Sequence, residues 1–473
     1  MKMPQKKIKA FTQYRLIGAI MLLLPVSSEA FAEEGGVHDV SDSGSSVATE
    51  MILSPNKDVA EEEEADFKGR VFGYREGYLH ATLGLRGEWT DNLYNYDANK
   101  EENFLFNITP SVWFTWPRRH KRPIQIASDN TSPGGMQYSL TDYEVFNKYQ
   151  VYLAGKMDIM TYSANSDLDH TEHGIEALVQ YQPKFRMTFH LLDKYNHSQD
   201  IFNMTEATLE NNRVYDSNIF SIGLDWKFSD KVSLQATYKN FFLGYEDDIN
   251  NFLDRTDNGA SCGFYYDYSP KTIFFLDYQF LLASYGENEL PDNGNSYLHA
   301  GMNWQASVKT SFMIKAGYQQ VNYDFETPEE YDDVESADDL INDDEAAFSF
   351  EAQANWQIVH KSTLILNTKY SIDQTDSKQA LNKTVFVGRI AFDYRFSGRI
   401  RGDLNLIYED SDYALFDGDS RLDDRWYLKP QLHFALRKWL YFNIYYSFDK
   451  KDSNFDELDY ETNTLGIGAR GTF

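Results

Sequence analysis

Cysteine is nearly absent. Cys262 is the only one in 473 residues, so no internal disulfide can staple the fold, and stability has to come from burial and backbone pairing. Long apolar runs are missing as well. Beyond the first 32 residues no stretch offers the roughly 20 apolar positions of a membrane-spanning helix. Positive charge is scarce: 44 Lys and Arg stand against 73 Asp and Glu, a formal net charge of −29. A surface of that sign repels phosphates instead of releasing their counterions, which excludes nucleic acid as a partner. Catalytic signatures are lacking too. There is no G-x-S-x-G elbow, no H-E-x-x-H pair, no phosphate-cradling glycine loop and no cysteine cluster. No catalytic residue, cofactor or metal is therefore expected.

What the chain has in quantity is aromatic residues, 33 Tyr and 33 Phe. So many rings beside so many acids are hard to reconcile with an ordinary soluble core. A transmembrane β-barrel reconciles them, because only every second residue of each strand has to be apolar. The N-terminus points the same way. Lys2, Lys6, Lys7, Lys9 and Arg15 precede a short apolar run from Leu16 to Val26, and Ala30-Phe31-Ala32 supplies a small-x-small cleavage pattern. Residues 1–32 read as an export signal peptide. Its five cations and one acid contribute +4, so the chain beyond Ala32 carries −33. Residues 33–71 are Ser-, Gly- and acid-rich without periodicity, including the run Glu61–Glu64, and are expected to form a disordered periplasmic linker.

From about residue 72 to Phe473 a period-2 pattern takes over. Leu79, Ala81, Leu83, Leu85, Gly87 and Trp89 alternate with His80, Thr82, Arg86 and Glu88. Later, Leu440, Phe442, Ile444, Tyr446 and Phe448 alternate with Tyr441, Asn443, Tyr445, Ser447 and Asp449. The alternation persists for about 9 to 11 residues at a time, the length of a tilted strand crossing a bilayer. Short basic connections recur at Pro183-Lys184, Ser229–Lys231, Pro270-Lys271, Val308-Lys309, His360-Lys361, Gly398-Arg399 and Arg437-Lys438. Longer acidic ones such as Tyr245–Asp257, Asn288–Asn295 and Glu326–Glu345 lie between them. Short periplasmic turns and long extracellular loops are the outer-membrane arrangement.

Strands are expected near 78–90, 102–116, 146–162, 169–183, 185–196, 213–228, 231–246, 257–269, 272–286, 294–307, 310–324, 346–359, 362–376, 380–396, 399–413, 422–437, 439–453 and 458–473. This is an all-β fold: an antiparallel up-and-down transmembrane barrel of about eighteen strands, with sixteen as the alternative count. Residues 117–144, with Pro123, Pro133, Gly134 and Gly135, read as an inserted turn or plug element, not a ladder strand. A barrel of this size holds an aqueous channel unless something fills it.

The closing strand is the most specific signal. Leu465, Ile467, Ala469, Gly471 and Phe473 alternate outward, and a last strand ending on an aromatic is what the barrel-assembly machinery is expected to recognise. Trp89, Trp116, Trp226, Trp304, Trp356, Trp426 and Trp439 fall near strand ends, where interfacial girdles place a half-apolar ring. The opposite face carries both signs of charge. The residues expected to line a lumen are Lys239, Asp277, Lys315, Glu351, Lys369, Arg389, Asp393, Arg401, Asp403, Lys429, His433 and Arg437, with Tyr427, Tyr441 and Tyr445 as ring platforms. Charges face hydrocarbon only at a cost, so a hydrated or internally paired lumen follows. Whether those charges stiffen the wall or guide a solute is open at this point, and both can hold.

The loop Glu326–Glu345 lacks Lys, Arg and the spacing of a calcium loop, so it reads as a solvated acidic loop. His170 and His173 are three apart without other ligands of obvious type, and read as surface histidines.

The opening segment Tyr78–Leu93, ending Gly87-Glu88-Trp89-Thr90-Asp91-Asn92-Leu93, resembles the first strand of the outer-membrane β-barrel porins found beside exopolysaccharide and capsule synthesis genes. So do the turns Phe228-Ser229-Asp230-Lys231 and Tyr268-Ser269-Pro270-Lys271, each opening an aromatic-rich strand. The resemblance covers Phe72 to Phe473, and the insert at 117–144 departs from a short second turn. It implies an eighteen-stranded barrel in the cell outer membrane that passes a polysaccharide outward. Outer-membrane lipid and lipopolysaccharide, the barrel-assembly machinery and periplasmic polysaccharide-export proteins would be its partners. The alternatives are a structural or adhesive protein with a closed barrel, and a general or solute-specific uptake porin.

Overall fold

The computed structural model describes residues 77–117, 124–126, 138–140, 148–183, 186–200, 213–286, 290–324, 345–375, 377, 379–415 and 420–473. The expected signal peptide (1–32) and linker (33–71) lie outside the described residues. So do most of the insert 117–144 and nearly all of the acidic loop Glu326–Glu345.

Twenty strands follow one another along the chain: β1 (Leu79–Thr90), β2 (Asn103–Trp116), β3 (Ile124–Ile126), β4 (Tyr138–Leu140), β5 (Tyr149–Tyr162), β6 (His170–Tyr181), β7 (Met187–Asp200), β8 (Arg213–Trp226), β9 (Val232–Tyr245), β10 (Arg255–Ser269), β11 (Thr272–Tyr285), β12 (Asp292–Ser307), β13 (Thr310–Asp324), β14 (Glu345–Val359), β15 (Ser362–Asp373), β16 (Ala380–Ser397), β17 (Ile400–Leu415), β18 (Ser420–Arg437), β19 (Leu440–Ser453) and β20 (Tyr460–Thr472). Eighteen of them form one sheet, each antiparallel to its neighbours in the chain, while β3 and β4 pair only with each other. β2 pairs directly with β5 across the insert, Trp116 opposite Val151. β20 returns to β1, from Thr82 opposite Thr472 to Thr90 opposite Thr464. The sheet is closed, and closure leaves no edge with unpaired backbone groups in the bilayer.

Alternation decides which side of the wall each residue faces. On β20 the odd positions point outward, with Leu465 half exposed and Ile467 59% exposed, far above a soluble core. Their partners on β1 are Trp89 and Gly87, and the same parity passes unbroken around the cylinder. Its outer rows read Leu276, Tyr278 and Phe280 on β11, Phe348 on β14, and Leu432 and Phe434 on β18, all exposed. The seven tryptophans expected at strand ends are all exposed. Trp226, Trp304, Trp356 and Trp439 lie near the short turns, Trp116 at the same rim beside the insert, and Trp89 and Trp426 toward the opposite rim. That gives two girdles, in keeping with rings that sit at the bilayer interfaces. The eighth tryptophan, Trp113, points inward and is 1% exposed.

The seam between first and last strands is fastened by the segment that carried the resemblance. Asp91 accepts hydrogen bonds from the Asn463 backbone N–H (2.7 Å) and from its side-chain amide (2.8 Å). Asn92 donates to the carbonyls of Tyr96 (2.8 Å) and Glu461 (3.1 Å). Asn95, in the left-handed region at φ 52°, accepts from the Thr462 hydroxyl at 2.6 Å. The short polar side chains of this run therefore take over from the backbone pairing, whose last bond is Asp91 N–H to the Asn463 carbonyl at 3.1 Å.

Candidate functional site

The inner wall is two-sided. From β13 to β20 it is a mesh of opposite charges. Lys315 and Glu351 face each other across β13 and β14, 2.6 Å apart. Glu351 in turn lies opposite Lys369 on β15, which grips Asp373 through both carboxylate oxygens at 3.1 Å. Lys383 is 3.6 Å from Glu409. Toward the short turns, Asp393 and Asp403 are directly opposed. Arg401 bonds to Asp393, and the His433 imidazole meets Asp403 at 2.6 Å. Near the other rim, Arg425 donates to both oxygens of Asp449 at 2.9 and 2.7 Å. Arg421 bonds to Asp423, which also lies 3.8 Å from Lys451. Such pairing is what permits these charges to leave bulk water.

Rings are interleaved with the cations. The Lys429 ammonium lies 5.0 Å from the Tyr445 ring centroid, Arg421 4.3 Å from Tyr413, and Lys451 5.4 Å from Tyr460. Tyr445 reaches this place because its cross-strand partner is Gly466. A methyl group there would come within 2.1 Å of the ring, so only glycine allows the ring to lie across the strand.

The other side, β2 and β5 to β11, holds an apolar cluster among polar and charged inner groups such as Lys156–Asp158 and His190–Asp225. Trp113, Tyr152, Leu178, Leu192, Phe241, Leu243 and Leu281 are buried in one cluster, stepping from strand to strand as the pairs Tyr152/Leu178 and Leu178/Leu192. A short helical turn, Asp248–Leu253, adds Phe252 and Leu253 to it. Arg255 is set against the Phe241 ring at 5.4 Å and against Asp257 at 3.4 Å. The side chains of this cluster are packed like a protein core on the inner face of the wall.

Of the residues expected in the lumen, Lys315, Glu351, Lys369, Arg389, Asp393, Arg401, Asp403, Tyr427, Lys429, His433 and Tyr445 all fall on the inner face of β13 to β19. Arg389 donates to Asn405 at 2.9 Å. Lys239 and Asp277 stand apart from that mesh, on the inner face of β9 and β11. Tyr441 is at the short-turn rim, its hydroxyl donating to the Lys438 carbonyl at 3.2 Å. Arg437 lies beyond a register shift, beside the two-residue turn, and is exposed. The apolar inner cluster was missed. A signal for it exists in doublets such as Ala177-Leu178, Leu191-Leu192 and Leu281-Leu282, which place an apolar side chain on both faces at once. His170 and His173 part company on β6, because an odd spacing in a strand sends side chains to opposite faces. His170 turns inward, and His173 outward beside His197.

The family model described as "Putative beta-barrel porin 2" matches residues 73–473. Among solved structures, the chain is similar to Acinetobacter baumannii OccAB4, with 10% identity, 84% of this chain and 99% of that one covered, and a TM-score of 0.43. It is also similar to Pseudomonas aeruginosa OccK2 (OpdF), at 9% identity, 84% and 98% coverage and a TM-score of 0.43. For Pseudomonas aeruginosa OprD the values are 9%, 84%, 95% and 0.41. No curated protein sequence matches.

Proposed function

The chain belongs to the Putative beta-barrel porin 2 family, an outer-membrane porin, and from that premise we propose that it conducts small polar solutes inward through a hydrated lumen. The observation that carries this reading is the two-sided inner wall. A mesh of paired charges from Lys315 to Lys451 faces an apolar cluster centred on Leu178 and Leu192. Paired charges offer a polar solute many weak contacts, none strong enough to trap it, which is what conduction requires. The apolar cluster reduces the free cross-section, and a reduced cross-section favours single small molecules over a polymer. The residues expected from sequence, Lys315 to Tyr445, would act as this wall, with Lys239 and Asp277 on the side that holds the apolar cluster.

Secretion of an exopolysaccharide is the second reading, and inward rings support it. Tyr427 and Tyr445 each lie close to a cation, an arrangement on which a sugar ring can stack. That reading brings a periplasmic export partner with it. Swelling of proteoliposomes in sugars of rising size separates the two. Rapid entry of mono- and disaccharides with a sharp size limit supports solute uptake. Secretion of polymer lost on deletion of the gene, without any defect in solute entry, would replace it with export.

A further inference from the structure

On the outer wall, near the rim away from the short turns, three metal-ligating side chains converge. His197 on β7, Asp216 on β8 and Glu246, just beyond the end of β9, each present a ligand atom within 4.8 Å of the other two. Among the described residues no other group of this kind is found. The strands themselves bring them together. His173, His197 and Asp216 are successive cross-strand partners, and Glu246 continues the ladder by donating its backbone N–H to Val214 at 2.9 Å. The His197 Nδ1 lies 3.0 Å from an Asp216 oxygen, and the His173 and His197 rings are stacked with centroids 4.9 Å apart. The Tyr195 hydroxyl donates to the same Asp216 oxygen at 2.6 Å, the kind of outer contact that fixes a ligating carboxylate.

We propose that His197, Asp216 and Glu246, with His173 as fourth ligand, form a site for a divalent transition cation of the zinc type. Imidazole nitrogens suit such an ion, whereas calcium and magnesium take all-oxygen shells. Tetrahedral bonds of about 2.0–2.1 Å set neighbouring ligand atoms about 3.3 Å apart. The His197–Asp216 spacing thus has to open by a few tenths of an ångström, and the 4.8 Å limit of the group to close by side-chain rotation. Coordination needs a bare ring nitrogen and a carboxylate, so any proton held on the His197 Nδ1 leaves to solvent as the ion binds. Bound there, it ties four consecutive strands together on their outer face. The site is open to the medium, with the His197 and Asp216 side chains 24% and 33% exposed.

The test is calorimetric titration of zinc chloride into the tag-free barrel, refolded in detergent without lipopolysaccharide, together with zinc-edge X-ray absorption. One ion per barrel and a first shell containing two imidazoles are expected. His197→Ala and Asp216→Asn are each expected to weaken binding by at least ~10-fold, while the turn variant His360→Ala leaves it unchanged. Glu246→Gln, outside the strands, keeps the test decisive if a strand variant does not refold. Absence of zinc binding, or binding indifferent to His197→Ala and Glu246→Gln, overturns the proposal. So does calcium binding as tightly as zinc, which would make the locus a plain acidic surface.

Discussion

The Lys315–Glu351 pair allows the charge-paired wall to be tested by thermodynamics. The two side chains are 13% and 7% exposed and meet at 2.6 Å. Two unit charges about 4 Å apart at an effective dielectric near 20 attract by about 4 kcal/mol, and the desolvation of both ions offsets much of that. Lys315→Met leaves Glu351 with only the opposed Lys369, which is already committed to Asp373. Loss of one partner from a buried pair costs about 3–5 kcal/mol. The remaining lysine places this variant at the lower end, about 3 kcal/mol. Glu351→Met takes away the carboxylate that Lys315 meets at 2.6 Å and costs a similar amount. The double variant removes both ions and should recover most of the loss, giving a coupling energy of about 2 kcal/mol or more. The assay is urea unfolding of the barrel in lipid vesicles, followed by tryptophan fluorescence, for all four corners of the cycle. Single variants within about 0.5 kcal/mol of the parent, or a double variant as unstable as the sum of the singles, would refute the claim that this wall is held by mutual charge pairing.

Three further outcomes follow from the same geometry. Ile467→Arg places a charge on the lipid face of the closing strand and is expected to destabilise the barrel by about 2–4 kcal/mol. Thr464→Lys, on the inner face of the same strand, should cost less than about 1 kcal/mol, and urea titration compares the two. Gly466→Ala drives a methyl group into the Tyr445 ring and should cost about 1–3 kcal/mol, with Tyr445→Leu in the same chain relieving most of it. Asp91→Ala removes two hydrogen bonds to Asn463 at about 1–2 kcal/mol, and should raise amide exchange along the β1–β20 seam before it does so elsewhere.

The wall was legible in the sequence because a bilayer enforces alternation. Lipid-facing Leu465 and Ile467, the short basic turns and the rows from Lys315 to Tyr445 are all local signals with period two. The strand expected near 146–162 matches β5, and the pairing of Trp116 with Val151 places the insert between two wall strands. The contents of the lumen were less legible. Leu178 and Leu192 follow the same alternation as polar inner residues, and their burial depends on neighbours from five other strands. The outer cluster was hidden for a related reason: His173, His197, Asp216 and Glu246 are remote in sequence, and only cross-strand register makes them neighbours. Parity also separates His170 from His173, so their spacing by itself carried no information about a shared site.

A water-filled path through this barrel would carry ions across the outer membrane. Its most direct test is the ionic conductance of the purified, refolded chain in a planar lipid bilayer. Stepwise, persistent openings are expected, with weak ion selectivity because the inner charges are paired, and Lys315→Met should shift that selectivity toward cations. A correctly folded barrel that inserts yet gives no openings at any applied voltage would contradict the account, and would make this chain a closed structural wall.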